Sequence, residues 1–311
     1  MPQSVEYTVD PLLTQIAKDY NSNTFIADRV APRVNVESDT GYYYVYGQEA
    51  KRLEDDLRTG LARANRVDYS MSLASYGPLI EHSLEQGVTR KEKRVMGEEK
   101  ALRRAAANVT GKIMLRHEKT VADILQNTSI ITQNVTLTSN DKWSAVHADS
   151  NPVADVELGF ATIEAKGISG RRVLLLGYEA FETARSNAQL IARMSTATLR
   201  TPLTMEQLEA LFQVDEIIVG KAMYNTAKEG QADVLARVWA DNAICMVVAE
   251  GTEPDLTQIN PMYTLQVEGE RVVDRWDEPQ AGRGTTFVRF TDYFEAKLVA
   301  AEAVYLIKDV K

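Results

Sequence analysis

One segment constrains the fold more than any other: residues 89–127 have the pattern of a single α-helix almost forty residues long. Thr89 followed by Glu92 has the spacing of a capping box, in which the hydroxyl and the carboxylate bind backbone N–H groups of the first turn. Apolar or small residues then recur every three to four positions from Val95 to Ile124. They form one stripe along the helix.

A helix of that length does not fit inside a compact domain of this size. At 1.5 Å per residue it would be on the order of 57 Å long, whereas a compact chain of 311 residues is about 50 Å across. Gly97 and Gly111, which each cost roughly 1 kcal/mol relative to alanine, are the places where it can kink. A coiled coil would need apolar residues at both seam positions, yet the stripe contains Arg116 or His117 and Thr120. The pattern therefore favours a flat molecule.

Composition and charge exclude several classes of protein. The hydrophobic fraction of 44% and the charged fraction of 25% are typical of a soluble globular protein. No apolar run approaches the roughly 20 residues of a membrane span, and the first residues lack the pattern of a signal peptide. This predicts a cytoplasmic product without a membrane partner. The net charge of -9 argues against a dedicated nucleic-acid-binding protein.

No motif in the sequence predicts catalysis. His82, His117 and His147 lie far apart and have no Cys, His or carboxylate at a metal-ligand spacing. The glycine-rich residues 282–287 lead into a β pattern, whereas a phosphate-binding loop begins a helix. Cys245 lies within an apolar strand pattern and is interpreted as a core residue. The sequence predicts a protein that is not an enzyme and holds no metal or cofactor.

An arm and a hairpin are predicted ahead of the long helix. Residues 1 to about 40 are polar and offer one short helical segment, so removal of residues 1–30 should leave the rest of the chain folded. Residues 42–46 and 67–76 have strand patterns and flank a highly charged segment without an apolar face. Because an isolated hairpin is marginal in water, this hairpin needs a surface on which to lie.

The segment after the long helix predicts a compact α/β unit. The predicted strands are 129–138, 172–177, 214–220 and 243–249, and the predicted helical segments are 152–168, 178–194 and 204–212. Short apolar runs bounded by glycine and separated by helices indicate a central sheet that is buried on both faces. Residues 262–294 return to a β-rich pattern.

Three segments carry a resemblance to a known family. Residues 10–36, DPLLTQIAKDYNSNTFIADRVAPRVNV, resemble the start of many tailed-phage major capsid proteins of the Hong Kong 97 fold, where a short helix precedes an A-P-R-V run. Residues 171–194, RRVLLLGYEAFETARSNAQLIARM, and 203–225, LTMEQLEALFQVDEIIVGKAMYN, resemble the axial domain of that family. The likeness covers nearly the whole chain, and its specificity lies in the combination and order of these segments.

The resemblance implies an α+β capsid fold with an L-shaped subunit. The long helix would be the spine of a peripheral domain in the plane of the shell, and the hairpin would be an extended loop that lies over an adjacent subunit. The implied divisions are an N-terminal arm (1–40), the extended hairpin loop (41–80), a peripheral domain (81–152 and 262–301, with the spine helix 89–127) and an axial domain (153–261 and 302–311).

The implied function is that of a structural subunit. Copies of the chain would assemble as hexamers and pentamers into the icosahedral head shell of a tailed bacteriophage, in the host cytoplasm, and enclose double-stranded DNA without sequence-specific binding. Because the arm starts within a few residues of Met1, a separate scaffolding protein is expected, together with a portal. Whether a decoration protein binds outside stays open.

The hairpin tip is the candidate subunit interface. Its cationic side chains surround a run of carboxylates in a segment with little apolar content, so its docking is expected to be electrostatic. The residues assigned to this interface are Lys51, Arg52, Arg58, Arg63 and Arg66.

Three other interpretations stay open from the sequence. A bacterial nanocompartment shell shares the fold and would enclose enzymes instead of DNA. An α/β enzyme with an elongated dimerisation helix would require a pocket with convergent polar groups. A coiled-coil scaffold or tail component would use the long helix as its seam.

Overall fold

The computed structural model describes residues 8–20, 24–46, 71–144, 149–194, 202–248, 260–278 and 284–311, together with residues 53, 56, 57, 63, 66 and 147. The helices within these residues are α1 Pro11–Lys18, α2 Ala27–Val30, α3 Arg90–Met96, α4 Glu98–Leu125, α5 Pro152–Ala165, α6 Tyr178–Ser186, α7 Ala188–Met194 and α8 Met205–Phe212. The strands are β1 Thr8–Val9, β2 Arg33–Val36, β3 Gly41–Tyr46, β4 Met71–Tyr76, β5 Ile80–Val88, β6 Asn134–Thr136, β7 Arg171–Gly177, β8 Glu216–Gly220, β9 Met223–Asn225, β10 Leu235–Arg237, β11 Ala243–Val248, β12 Met262–Val267, β13 Val272–Glu278, β14 Thr285–Leu298 and β15 Val304–Lys308.

Strand β14 is the centre of the first sheet. The sheet has the order β1-β13-β14-β12-β2, and β5 also pairs with β14. Residues 286–291 of β14 pair with β13 and with β5 at the same time, so these two strands lie on opposite sides of β14. Strand β5 is therefore an edge of this sheet within the described part of the chain.

The second sheet has five strands in the order β6-β15-β11-β7-β8. Alternate side chains of its central strands enter two different cores. Leu174 and Cys245 pack with helices α5, α6 and α8 on one face, whereas Leu175 and Ile244 pack with α2 and the end of α4 on the other. This confirms the prediction of a sheet buried on both faces, which the continuous apolar runs indicated. It also confirms Cys245 as a core residue.

The long helical segment is two helices. The capping box is confirmed, since Thr89 Oγ1 accepts from the Glu92 N–H at 3.3 Å and Glu92 Oε2 accepts from the Thr89 N–H at 2.8 Å. Gly97, with φ of 85° and ψ of 145°, ends α3 and precedes α4, so the prediction of one continuous helix was wrong. Gly111 does not kink α4; a Cβ there would lie 2.8 Å from the hydroxyl oxygen of Tyr20.

Helix α4 connects the two sheets. Its 28 residues span roughly 42 Å. Ile113, in its middle, packs in a core with Leu13 of α1 and Phe290 of β14. Val121 and Leu125, in its last turns, pack in the core between α4 and the second sheet. The middle and the C-terminal end of α4 are thereby fixed by apolar contacts.

The N-terminal segment is part of the core, which differs from the predicted arm. Leu13, Ala17, Ile26 and Val30 are buried, and β2 pairs in parallel with β12. The sequence pattern did not show this because the apolar residues belong to helices of eight and four residues, too short for a clear period.

Residues 134–143 also lie elsewhere than expected. The implied domain division grouped them with the first sheet, but β6 pairs in parallel with β15 in the second sheet. Leu137 and Trp143 are buried in the core beneath α5. The predicted strand 129–138 is reduced to the three residues of β6.

Candidate interaction surfaces

The hairpin of β3 and β4 is confirmed, and its base is fixed to the body of the subunit. All six residues of β3 pair antiparallel with β4. Tyr43 and Tyr76 are buried in a small core with Tyr263 of β12. Tyr42 and Leu73 are 72% and 59% exposed, which leaves an apolar face of the hairpin open. The base of the hairpin is therefore packed against the body of the subunit, whereas one face of the hairpin is exposed.

Two of the five cations assigned to the hairpin tip can be placed. Arg63 and Arg66 are both exposed. Lys51, Arg52 and Arg58 lie outside the described residues. The assignment of these five residues to an interface stays a prediction.

The tip also presents apolar side chains that the sequence analysis missed. Leu53 is 99% exposed and Leu57 is 84% exposed. The sequence signal for these apolar side chains is the four-residue spacing of the leucines, which continues to Leu61. High charge in the segment hid this spacing. The tip thus combines apolar and charged groups.

Helix α4 carries a row of exposed cations at intervals of four or eight residues. No described residue forms an ion pair with any of them, whereas neighbouring cations of the helix do pair, such as Arg103 with Glu99 and Lys119 with Asp123. Like charges at this spacing weaken a helix by a few tenths of a kcal/mol per pair. The row consists of Lys100, Arg104, Lys112 and Arg116.

His117 sits in a buried polar contact between α4, α2 and the first sheet. Its Nε2 lies 2.9 Å from Thr264 Oγ1, and the Thr264 hydroxyl donates to the Ala31 carbonyl at 3.0 Å. His117 Nε2 must therefore carry the proton and donate. Burial, and then the charge of Arg33, lower the pKa of His117 to about 3. The imidazole is neutral and structural.

This pKa predicts acid sensitivity of the fold. An unfolded histidine titrates near pH 6.5, so between pH 6.5 and 3 the unfolded chain binds a proton at residue 117 that the folded chain excludes. Stability from this group falls as the pH falls, by about 3 kcal/mol between pH 6.5 and 4. His117→Gln, which keeps an N–H donor, should flatten this part of the curve of unfolding free energy against pH. If the unfolding free energy of the wild type and of the His117→Gln variant falls equally with pH, the low pKa of His117 is excluded.

Glu118, the next residue, joins three parts of the chain. Its Oε2 accepts from the backbone N–H groups of Ile26 and Ala27 at 2.9 and 2.7 Å, and its Oε1 accepts from the indole N–H of Trp239. Burial raises the pKa of Glu118, and these hydrogen bonds act in the opposite direction. The Glu118 carboxylate therefore has a structural role, because it accepts hydrogen bonds from three donors of the fold.

Among the described residues there is no group of three His, Cys, Asp or Glu side chains that could hold a metal ion. Within the same residues, no helix is both long and apolar enough to cross a membrane.

Comparisons with known proteins decide the family. No protein-family model matches the chain. The chain is 32% identical over 313 residues to the major capsid protein of Burkholderia phage BcepMu, which covers 97% of this chain and 96% of that protein. The chain belongs to the phage major capsid protein family. A second relative, the major capsid protein of Pseudomonas phage JBD67, is 25% identical over 245 residues, 76% of each chain.

Solved structures agree with this membership. A phage-related protein of Bordetella bronchiseptica RB50 superimposes on this capsid protein with a TM-score of 0.78 and 25% identity, over 98% of both chains. The capsid of cyanophage P-SCSP1u gives a TM-score of 0.59 at 8% identity, over 93% of this chain and 89% of that one. The mixed helix and sheet fold is thus the fold of phage capsids.

The same comparisons separate the interpretations left open by the sequence. The SrpI encapsulin of Synechococcus elongatus PCC 7942 gives a TM-score of 0.53 at 12% identity, over 98% of this chain and 97% of that one. This likeness concerns the fold alone. The sequence relatives are phage capsid proteins, so this capsid protein is a structural subunit of a tailed-phage head shell and a component of the virion. It is not an enzyme.

Proposed function

We propose that this capsid protein builds a closed icosahedral shell of hexamers and pentamers around double-stranded DNA. The hairpin carries the proposal: its base is packed against β12, while Tyr42 and Leu73 on one face and the described tip residues Leu53 and Leu57 are exposed. A hairpin in this state gains stability when a neighbouring subunit covers it. Within an L-shaped subunit, the first sheet and α4 would form the peripheral domain and the second sheet with α5–α8 the axial domain, with β6 on the axial side.

The proposed contents and partners follow from charge. With a net charge of -9, the surface that faces packaged DNA is proposed to carry carboxylates, because a cationic lining would bind phosphates and resist their movement. A scaffolding protein and a portal are proposed partners during assembly in the host cytoplasm.

Electron microscopy of purified particles tests the proposal. Shells of uniform diameter that contain nuclease-protected DNA are expected. Shells filled with protein would indicate a nanocompartment, and discrete dimers would remove the shell function. Cryo-electron microscopy of the same particles would show which residues line the DNA.

The hairpin cations give a separate prediction. Replacing Arg58, Arg63 and Arg66 together by Ala should leave the melting temperature of the subunit nearly unchanged, because the two described members are exposed. Each exposed pair that they form with a neighbour is worth roughly 0.2–1 kcal/mol and is screened by salt. Repeated on every subunit of a closed shell, these pairs add up, so shells should form poorly or dissociate at moderate salt. Dissociation is measured by light scattering against salt concentration. Shells with unchanged salt tolerance would show that the tip cations are solvated.

A further inference from the structure

Helices α3 and α4 carry a positive charge in an acidic chain. Together they contain ten lysines and arginines and five carboxylates, a net charge of +5, so with -9 for the whole chain the other residues carry -14. All five carboxylates have partners: Glu92 caps α3, Glu118 is buried, and the other three pair with cations of the same two helices. The cations of the α4 row have no ion pair with any described residue.

The row follows one ridge of α4. Lys100, Arg104, Lys112 and Arg116 stand four, eight and four residues apart and extend over about 24 Å along the helix axis. All four are exposed. Because residues four apart are neighbours on a helix, these like charges repel one another. A partner that brings carboxylates to the row would turn this repulsion into attraction.

An open groove lies at the one uncharged step of the row. Asn108 occupies that step, and together with Lys112 it lines a groove of about 480 Å³. Ala107, Leu115 and Tyr20 also line this groove, and each of them is half-buried. The groove therefore offers apolar surface to one side chain of a partner, between two pairs of cations.

The spacing of the row favours an α-helix as its occupant. In the commonest class of helix packing, rows of residues at four-residue intervals on two helices run parallel and interdigitate. A helix with carboxylates at matching steps, and an apolar residue opposite Asn108, would contact the row and the groove together. No described helix of this chain has two carboxylates four residues apart, so the described helices of a second copy do not supply such a row. The surface fits a helix of another protein.

A nucleic acid fits the same surface less well. A DNA duplex that lies on the row continues past both of its ends, over a chain whose other residues carry -14, and is repelled there. Its phosphates also have no apolar group to place in the groove. A short helical segment ends where the row ends and fills the groove with a side chain.

We propose that the row and the groove of α4 bind an acidic α-helix of a second protein. Its carboxylates would pair with the four cations of the row, and one apolar side chain would contact Ala107 and Leu115 in the groove. Exposed ion pairs are individually weak and are screened by salt, so this contact is reversible. The inference goes beyond the proposed shell function, because it gives the single subunit a docking site for a different protein.

A synthetic peptide tests the ion pairs. The probe is a helix, held by a side-chain link, with four glutamates spaced like the cations of the row and a leucine in the gap. Fluorescence anisotropy measures its affinity for the full-length subunit. Arg104→Glu with Lys112→Glu should weaken binding at least about tenfold, because two attractive pairs become repulsive. Lys221→Glu with Lys228→Glu makes the same change in net charge at exposed positions outside the row, and should bind within about twofold of the wild type.

The groove is tested with a second peptide, in which alanine replaces the leucine. This peptide should bind the wild type at least about threefold more weakly, since a partly buried side chain has been shortened. The Ala107→Leu variant fills the groove without a change in charge, so it should bind the two peptides equally. Equal affinities of the two peptides for the wild type would remove the groove from the site.

Two other results would overturn the proposal. One is equal binding of the ordered peptide and of a peptide with the same composition whose glutamates are distributed around the helix, because charge alone would then explain the binding. The other is tighter binding of a short DNA duplex that is lost in the Arg104→Glu with Lys112→Glu variant, which would assign the row to nucleic acid. All these measurements use single subunits, so either result leaves the proposed shell function standing.

Discussion

A chain that lacks residues 1–30 is expected not to fold. The deletion removes α1 and α2, and with them the buried side chains of Leu13, Ile26 and Val30. Burial of each such side chain contributes about 1.5–3 kcal/mol, whereas a whole domain is stable by only about 5–15 kcal/mol. It also removes the backbone N–H groups that Glu118 Oε2 accepts from, which leaves a buried carboxylate poorly solvated.

Circular dichroism and solubility of the truncated chain would measure this effect. A chain that lacks only residues 2–7 keeps every buried residue named above and serves as the control, with a cooperative melting transition. A soluble, cooperatively melting product from the larger deletion would restore the original expectation of a dispensable arm. The structure favours loss of the fold because α1 packs on α4 and α2 packs on both α4 and the second sheet.

Among single substitutions, loss of the Glu118 side chain is expected to lower the stability of the fold the most. Glu118→Ala leaves the backbone N–H groups of Ile26 and Ala27 and the indole N–H of Trp239 without their acceptor. Loss of one partner in a buried charged contact costs about 3–5 kcal/mol. For a protein of this size that corresponds to a fall of roughly 10 °C in melting temperature.

Two variants control for this prediction. Glu118→Gln keeps one acceptor oxygen and should lie between the wild type and the alanine variant in unfolding free energy. Lys119→Ala removes an adjacent side chain that pairs with Asp123 at the surface, and should change stability by less than about 0.5 kcal/mol. Equal stability of the Glu118→Ala variant and the wild type would mean that other groups take over all three donors.

The parts of the fold that the sequence predicted correctly depend on local patterns. The capping box at Thr89, the hairpin strands and the apolar runs of the second sheet are each determined by residues close together in the chain. Gly97 was predicted as a place where the helix can kink, but not as the residue that ends one helix before the next begins. A positive φ is only one of several conformations that glycine adopts, so the sequence does not specify it.

The parts that the sequence missed depend on contacts between distant residues. Glu118 binds the N–H of Ile26, 92 residues away, and nothing in either segment signals that contact. Residues 134–136 entered the second sheet only through pairing with β15, about 170 residues later. The apolar spacing of Leu53 and Leu57 was present in the sequence, but the surrounding charges outweighed it.

The position of β14 and β15 in the chain has a consequence for biosynthesis. Strand β14 lies at the centre of the first sheet and β15 inside the second, yet both follow residue 284. While a ribosome synthesises the preceding residues, β5 and β6 have no partner strand, and neither sheet can be completed. Such high contact order slows folding, and the unpaired edges of a growing chain aggregate readily. An abundant shell subunit with this topology is expected to depend on chaperones until its last strands have been made.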